Sequence, residues 1–196
     1  MLDFIYFFPK AKPMVKEIEL RITDIDVKQA KRRLREAGAR HIAYKKLTRF
    51  EIRLVNTPKL KRWLRVRTDG KKTTFTMKEN RGLKENVHEF ETEVEDFRTM
   101  GRILLAAFPG NLKAFIESTR DIYALDGTEI TIDKWPEIPH FMEIEGKSRA
   151  QVNAVYRKLK IAGKPVGNIW DIYRLYGLSF AKVNVKSDSA VRKLLG

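Results

Sequence analysis

Residues 15–22 read Val-Lys-Glu-Ile-Glu-Leu-Arg-Ile, so apolar and charged side chains alternate along this stretch. Alternate side chains of a β-strand lie on the same face of the sheet. The apolar face of this predicted strand comprises Ile18, Leu20 and Ile22, and the charged face comprises Glu17, Glu19 and Arg21. The stretch therefore predicts a strand that buries one face and gathers two carboxylates and a guanidinium on the other.

The same alternation recurs along the chain, and the charges on the polar faces are sorted by sign. The basic residues in these positions are Arg65, Arg67, Lys78 and Arg120, and the acidic ones are Glu89, Glu91, Glu93, Asp133, Glu143 and Glu145. For any single strand, an ordinary solvated charged face is the simpler interpretation. Like charges two residues apart repel each other, however, unless a group of opposite sign lies between them. The whole pattern therefore indicates a divalent cation beside the carboxylates and a polyanion beside the arginines.

Helical periodicity separates several of these strands, so the fold class is α+β. Four helices are predicted from their start and stop signals, which are Asp24 or Asp26 to Gly38, Asp96 to Pro109-Gly110, Ser148 to Gly163, and Asn168 to Gly177. If the antiparallel sheet is closed or nearly closed, its charged faces line an interior filled with water, metal and ligand. The alternation then predicts that Glu17, Arg65, Lys78 and Glu143 point into one shared cavity. The amphipathic helices cover the apolar outside of the barrel, which includes Ile18, Leu64, Phe75 and Ile144.

The composition limits the classes of protein to which the chain can belong. It has 196 residues, 43% of them hydrophobic, so it can bury a core and is not a disordered basic tail. We expect one domain over residues 14–196, with residues 1–13 as an N-terminal extension. No apolar run approaches the roughly 18 residues that a membrane-spanning helix needs, so we expect no membrane partner.

The absence of cysteine excludes a disulfide scaffold, a cysteine nucleophile and thiolate-bound zinc, and favours a cytoplasmic location. The three histidines, His41, His88 and His140, are scattered and show no metal-ligand spacing. Any metal must therefore be bound mainly by carboxylate oxygens, which suit Mg²⁺ or Mn²⁺. Paired guanidinium groups suit bidentate binding of phosphate oxygens.

Five charged elements, in this order along the chain, resemble the signatures of the CYTH family. This family includes class IV adenylate cyclases and thiamine triphosphatases and is also called the triphosphate tunnel metalloenzymes. Its E-x-E-x-K, R-x-R, T-x-K, acidic-strand and D…F-x-E-I-E signatures resemble residues 17–21, 65–67, 76–78, 89–95 and 133–145. Together the five elements are much more specific than a single charged alternation. The resemblance implies a closed or nearly closed eight-stranded antiparallel β-barrel, the triphosphate tunnel, covered by helices.

The resemblance also implies roles for individual residues. The residues that it assigns to phosphate binding are Arg65, Arg67, Lys78 and Arg120. The residues that it assigns to Mg²⁺ or Mn²⁺ are Glu17, Glu19, Asp133, Glu143 and Glu145. Arg21 and Lys78 are the expected catalytic residues. Two positions depart from the family pattern, because Arg21 stands in place of the usual Lys and Ser118 stands where a K-x-R element has its Lys.

The expected function is metal-dependent hydrolysis of tripolyphosphate or a nucleoside triphosphate. The enzymatic alternatives are cyclisation of ATP by a class IV adenylate cyclase and hydrolysis of thiamine triphosphate. A non-catalytic module that binds RNA or another polyanion is the alternative from a different class. It is supported by the net charge of +15, whose excess lies outside the presumed site and would attract polyanions nonspecifically.

Overall fold

A computed structural model of the chain describes residues 18–82, 87–184 and 188–196. The strands in these ranges are β1 (Ile18–Thr23), β2 (Arg40–Asn56), β3 (Lys61–Thr68), β4 (Thr73–Asn80), β5 (Val87–Val94), β6 (Leu112–Leu125), β7 (Thr128–Lys134), β8 (Phe141–Gly146) and β9 (Lys164–Val166). The helices are α1 (Val27–Glu36), α2 (Phe97–Ala107), α3 (Arg149–Leu159), α4 (Ile169–Leu175), α5 (Phe180–Asn184) and α6 (Asp188–Leu195). The predicted α+β class is confirmed.

All nine strands belong to one antiparallel sheet in the order β5-β4-β3-β2-β6-β7-β8-β1-β9. Within the described residues, β5 and β9 each pair on one side only, so the sheet is not closed. The prediction is a closed or nearly closed eight-stranded barrel, and the structure corrects it in two respects, because the described sheet has nine strands and is not closed. The physical reason is that β9 pairs with the outer edge of β1, at Arg21–Thr23, and so takes an edge that a closed barrel would need.

The open sheet is nevertheless strongly curled. Lys78 on β4 and Glu19 on β1 stand six strands apart in the sheet, about 29 Å if it were flat. The charge of Lys78 nevertheless lowers the pKa of Glu19. In the same way, the charge of Glu129 on β7 raises the pKa of Arg67 on β3. Because exposed charges are screened beyond about 10 Å in salt solution, the two halves of the sheet must face each other. The concave side of the sheet is the polar side.

Side-chain caps begin the helices where the sequence predicted them. Asp26, Asp96, Ser148 and Asn168 each accept a hydrogen bond from the backbone N–H three residues later. The third helix ends at Leu159, before the predicted stop at Gly163, because Lys160 adopts a left-handed conformation with φ of 48°. None of the helices in the described ranges is long and apolar enough to cross a membrane.

The helices pack on both sides of the sheet. On the convex side, α1 and α3 cover an apolar cluster that includes Ile18 and Ile144. On the same side, α2 and α6 cover a second cluster that includes Leu64 and Phe75. These four residues therefore pack under helices, as the alternation predicts.

A third apolar cluster lies on the concave side. There α4 and α5 pack against Ala114, Ile116, Trp135 and Phe141. These helices cover part of the polar face and leave the rest of it to charged residues. The division of the chain into an extension (1–13) and a domain (14–196) stays a prediction, since residues 1–17 lie outside the described ranges.

Candidate functional site

The register of the sheet gathers the charged residues of eight strands on its concave side, here called the charged face. From β5 to β1, its members are Glu89 and Glu91, Lys78, Arg65 and Arg67, Arg49 and Glu51, Arg120, Glu129 and Asp133, Glu143 and Glu145, and Glu19 and Arg21. Side chains of directly paired antiparallel residues lie on the same side of a sheet. The backbone pairing alone therefore places these residues together, although they come from distant parts of the sequence.

Two guanidinium groups link the carboxylates at the β1 end of the charged face. Arg21 donates from Nε to Glu143 Oε1 (2.6 Å) and from Nη2 to Glu19 Oε2 (2.5 Å). Arg120 donates from Nη2 to Glu143 Oε2 (3.0 Å) and from Nε to Asp133 Oδ1 (2.7 Å). Glu143 is therefore held on both oxygens, at the centre of a continuous ion-pair network.

The electrostatics of this network differ from one carboxyl group to the next. Burial alone would raise the pKa of Glu143, but Arg21 and Arg120 outweigh it and lower the pKa to about 2. Burial raises the pKa of Glu19 despite the charge of Arg21, and it raises the pKa of Asp133 despite the charge of Arg120. The charge of Glu143 raises both pKa values further. Negative charge is thus concentrated on Glu143, and further positive charge near Glu19 and Asp133 would be favourable.

The basic half of the charged face lies on β3 and β4. Arg65 Nη2 contacts carboxylate oxygens of Glu91 (3.5 Å) and Glu89 (3.7 Å), and Lys78 pairs with Glu89. The hydroxyl of Thr76 donates to the same Glu91 oxygen at 2.8 Å. Glu89 and Glu91 on β5 therefore hold Arg65 and Lys78 in place, whereas Glu93, opposite Thr74 on the same face, pairs with Lys72.

Arg67 differs from these two cations. In the part of the chain that the structure describes, its guanidinium group forms no ion pair. Burial lowers its pKa to about 10, and the positive charges of Arg65 and Arg120 lower it further than the nearby carboxylates raise it. The charge of Arg67 is therefore poorly compensated and would be stabilised by an anion.

The sequence interpretation missed three members of the charged face. Arg49 and Glu51 lie on β2 directly opposite Arg67 and Arg65, and Glu129 on β7 lies opposite Glu145. Residues 48–53, Thr-Arg-Phe-Glu-Ile-Arg, show the same alternation as the strands that were recognised. Because this strand mixes both signs of charge, it was indistinguishable from an ordinary solvated strand, and only the pairing register identifies its position.

The donor chemistry of the charged face fits a hard divalent cation. Glu129, Glu145 and Glu19 are successive cross-strand partners on three neighbouring strands, where like charges repel each other. Carboxylate oxygens without thiolate or imidazole are the ligands of Mg²⁺ and Mn²⁺. Within the described ranges, no three carboxylate or histidine groups converge closely enough to form a metal site by themselves. Glu17, one of the expected ligands, lies outside those ranges.

The structure thus brings together nine of the ten residues that the sequence singled out. They are Glu19, Arg21, Arg65, Arg67, Lys78, Arg120, Asp133, Glu143 and Glu145. Ser118 is also buried on this side of the sheet. The shared cavity expected for Arg65, Lys78 and Glu143 corresponds to the concave side of the curled sheet. The roles of the individual residues stay predictions.

Comparisons with known proteins agree with this architecture. PH1012 from Pyrococcus horikoshii OT3 has a similar fold, with a TM-score of 0.60 and 20% identity over 85% of this chain and 93% of that chain. A conserved hypothetical protein from Pyrococcus furiosus gives a TM-score of 0.59 and 22% identity over 85% of this chain and 94% of that chain. HpAC1 from Hippeastrum, for which a dominant triphosphatase activity is described, gives 0.55 and 12% over 83% of this chain and 95% of that chain.

At these levels of identity, the structural neighbours establish the fold alone. A search of curated proteins finds no significant match. The model of the CYTH domain, by contrast, matches residues 15–168, which include every charged strand of the site and both signature carboxylate pairs. The chain therefore belongs to the CYTH family.

Proposed function

We propose that this protein is a divalent-metal-dependent enzyme that hydrolyses tripolyphosphate or a nucleoside triphosphate. The observation that carries the proposal is the poorly compensated guanidinium of Arg67, on the same concave face as the carboxylates of β1, β7 and β8. An ordinary solvated face gives no reason to keep a half-buried guanidinium without an ion pair among the described residues. A site for a ligand with several negative charges explains both halves of the charged face.

The basic residues would bind the phosphoryl groups. Arg65, Arg67 and Lys78 line one side of the concave face, and Arg120 approaches from the opposite half. Binding would exchange carboxylate partners for phosphate oxygens at Arg65, Lys78 and Arg120, whereas Arg67 has no ion pair within the described ranges to lose. Cations fixed around the leaving phosphate stabilise the charge that develops as the P–O bond breaks.

The residues that would hold Mg²⁺ or Mn²⁺ are Glu19, Asp133, Glu143 and Glu145, together with Glu17. When bound, the metal would neutralise phosphate charge and orient the substrate. Arg21 contacts both Glu19 and Glu143, so it would keep two of these carboxylates in position. Lys78 would stabilise the leaving group as a compact point charge, because an ammonium group needs no planar fork geometry to do so.

A product assay distinguishes this reaction from its alternatives. Purified protein with Mg²⁺ or Mn²⁺ is offered tripolyphosphate, ATP and thiamine triphosphate, and phosphate, pyrophosphate and cyclic AMP are all quantified. We expect phosphate from tripolyphosphate or ATP, and no product in excess chelator. Cyclic AMP with pyrophosphate would identify a cyclase instead, and phosphate from thiamine triphosphate alone would identify a thiamine triphosphatase.

The polyanion-binding alternative needs a separate test. If the protein is an RNA-binding module, it yields no product from any triphosphate, and its affinity for RNA does not depend on the acidic residues of the site. RNA binding by the wild type and by Glu143→Gln and Glu145→Gln decides this point. Turnover of a triphosphate, with weak RNA binding that salt abolishes, supports the enzyme.

A further inference from the structure

Four buried hydrogen-bonding atoms on the concave side of the sheet have no partner in the described structure. They are Arg49 Nε, Thr74 Oγ1, Ser118 Oγ and Trp135 Nε1. Arg49, Ser118 and Trp135 are each 8% exposed, and Thr74 is 7% exposed. Buried polar groups in folded proteins are almost always hydrogen-bonded, so four exceptions on one side of a sheet require a common explanation.

The pairing register arranges these groups in two neighbouring rows across the sheet. Thr74 on β4 lies opposite Arg67 on β3, and Arg67 lies opposite Arg49 on β2. The residue opposite Arg49 on β6 is Ile116, and Ser118 lies opposite Leu47, in the neighbouring row of the same face. Trp135 follows Ser118 in that second row, because the β6–β7 ladder ends with Thr119 opposite Lys134. The two rows cross the middle of the charged face, and the first includes Arg67.

Trp135 fixes the position of Arg49. The guanidinium carbon of Arg49 lies 3.7 Å from the centre of the Trp135 ring, a stacked cation–π arrangement. Trp135 is itself held by an edge-on contact with Phe141 and by Phe180 of α5. Arg49 is thus preorganised on a rigid aromatic base, with Nε left available for a ligand.

The charges around Arg49 do not compensate it. Its nearest acidic neighbour along β2, Glu51, forms an ion pair with Lys113 at 2.7 Å. Arg65 and Arg120 add positive charge nearby. Burial, together with these two cations, lowers the pKa of Arg49 to about 9, although Glu51 and Asp133 oppose the shift. Water could satisfy a hydroxyl or an indole N–H, but it would not neutralise a buried cation.

The chemistry of these two rows identifies the class of ligand. Arginine and tryptophan side chains only donate hydrogen bonds, and serine and threonine hydroxyls can donate as well. The matching ligand is an anion with several acceptor oxygens. We propose that Arg49, seated on Trp135, is a further substrate-binding residue that donates from Nε to a phosphoryl oxygen of the triphosphate that Arg67 binds.

This inference rests on the proposed function and adds a second guanidinium on the strand next to Arg67. It also gives a reason why Ser118 is tolerated where the resemblance expects a lysine. Arg49 supplies a cation to the same part of the charged face, so a lysine side chain at position 118 would bring one more positive charge beside a guanidinium that is already uncompensated.

The test measures binding of inorganic tripolyphosphate by isothermal titration calorimetry, with the full chain and with turnover measured in parallel. We expect Arg49→Gln to raise Kd at least tenfold and Arg49→Lys to recover only part of the loss, because an ammonium group lacks the planar fork. Trp135→Leu, which removes the stacking surface, should also raise Kd, whereas Trp135→Phe should retain most of the affinity. Lys46→Gln is the matched control, because Lys46 is an exposed cation on the same strand whose side chain lies on the opposite side of the sheet from Arg49.

A melting curve of each free variant separates binding from folding. Arg49→Gln relieves repulsion from Arg65 and Arg120 but gives up attraction to Glu51 and stacking on Trp135, so we expect only a small change in melting temperature beside the large rise in Kd. A structural arginine would instead lower the melting temperature and leave Kd alone. If Arg49→Gln fails to fold, the folded Arg49→Lys and Trp135→Leu variants decide the matter. Wild-type Kd in folded position-49 variants of an active enzyme would overturn this inference alone. A wild type that neither binds nor hydrolyses any triphosphate would overturn the proposed function as well.

Discussion

Arg49 and Arg67 are directly opposite each other in the β2–β3 ladder. Neither guanidinium forms an ion pair with any residue in the described ranges, and burial lowers the pKa of both. Like charges in directly paired positions destabilise a sheet. The pairing therefore costs stability in the free protein, which is expected where a fold keeps positive charge ready for an anionic ligand.

The first prediction follows from this relationship: tripolyphosphate should stabilise the protein against heat. A ligand at one hundred times its Kd stabilises the native state by about 2.7 kcal/mol. For a chain of this size, that corresponds to a rise of roughly 5–10 °C in melting temperature. The measurement is a melting curve with tripolyphosphate against sodium chloride at the same ionic strength. An equal shift in both salts would show general screening and no specific site.

The second prediction concerns the metal. Chelation should abolish turnover, and Glu145→Gln should raise the Mg²⁺ or Mn²⁺ concentration needed for half-maximal activity at least tenfold, because it removes one anionic ligand. Glu117→Gln is the matched control, since Glu117 is exposed on β6 and its side chain lies on the opposite side of the sheet from Arg120. Full activity in excess chelator would contradict the prediction.

The third prediction concerns acid stability and depends on Glu51. Burial alone would raise the pKa of this carboxyl, but Lys113 and Arg49 lower it from 4.5 to about 2. The charged carboxylate therefore contributes stability above pH 4.5, and this contribution is lost as the pH falls through about 2. At neutral pH, Glu51→Gln should lower the free energy of unfolding by about 3 kcal/mol.

The measurement is urea unfolding of wild type and Glu51→Gln at several pH values between 7 and 2.5. The difference between the two proteins should shrink as the pH falls below 4.5, because the wild-type carboxyl then begins to lose its advantage. Glu117→Gln again serves as the control, and its stability should stay close to that of wild type. A constant difference across the whole range would contradict the assignment.

Alternation and capping signals predicted much of this fold because they are local. Ile18 and Leu64 pack in the apolar clusters, as the alternation indicated. Asp96 and Ser148 cap the N-termini of their helices, as the capping signals indicated. Strand β9 was not predicted, since three residues with a proline at the centre carry no periodic signal. Its pairing with β1 is what keeps the sheet open.

Pairs of like charges two residues apart indicated much of the site, and the family resemblance added Lys78 and Arg120. The single arginine and single glutamate on β2 gave neither signal. Arg65 and Arg67 were identified from a single strand, whereas Arg49 and Glu51 have meaning only through their cross-strand partners. The sequence also did not predict that α4 and α5 pack on the concave side. An amphipathic pattern shows that a helix buries one face, but it does not show which side of the sheet that face covers.

The last prediction contrasts Arg65 with Arg67, which share a strand face but differ in their partners. If both bind phosphate, truncation of either to Ala removes a charge-assisted contact of roughly 1.5–3 kcal/mol, and turnover should fall at least tenfold. Lysine should restore only part of the rate at either position, because it cannot form the bidentate fork. Near-native rates in both folded variants would remove the phosphate-binding assignment.

The free energy of unfolding should differ between the two variants, whereas equal structural roles would lower it in both. Arg65→Ala leaves Glu89 and Glu91 without one cation and should cost about 1–3 kcal/mol of unfolding free energy. Arg67→Ala breaks no ion pair among the described residues and relieves repulsion from Arg65 and Arg120, so its stability should equal or exceed that of wild type. Steady-state kinetics and urea unfolding of both variants provide the comparison. A destabilised Arg67→Ala with normal turnover would show that Arg67 supports the fold and not the substrate.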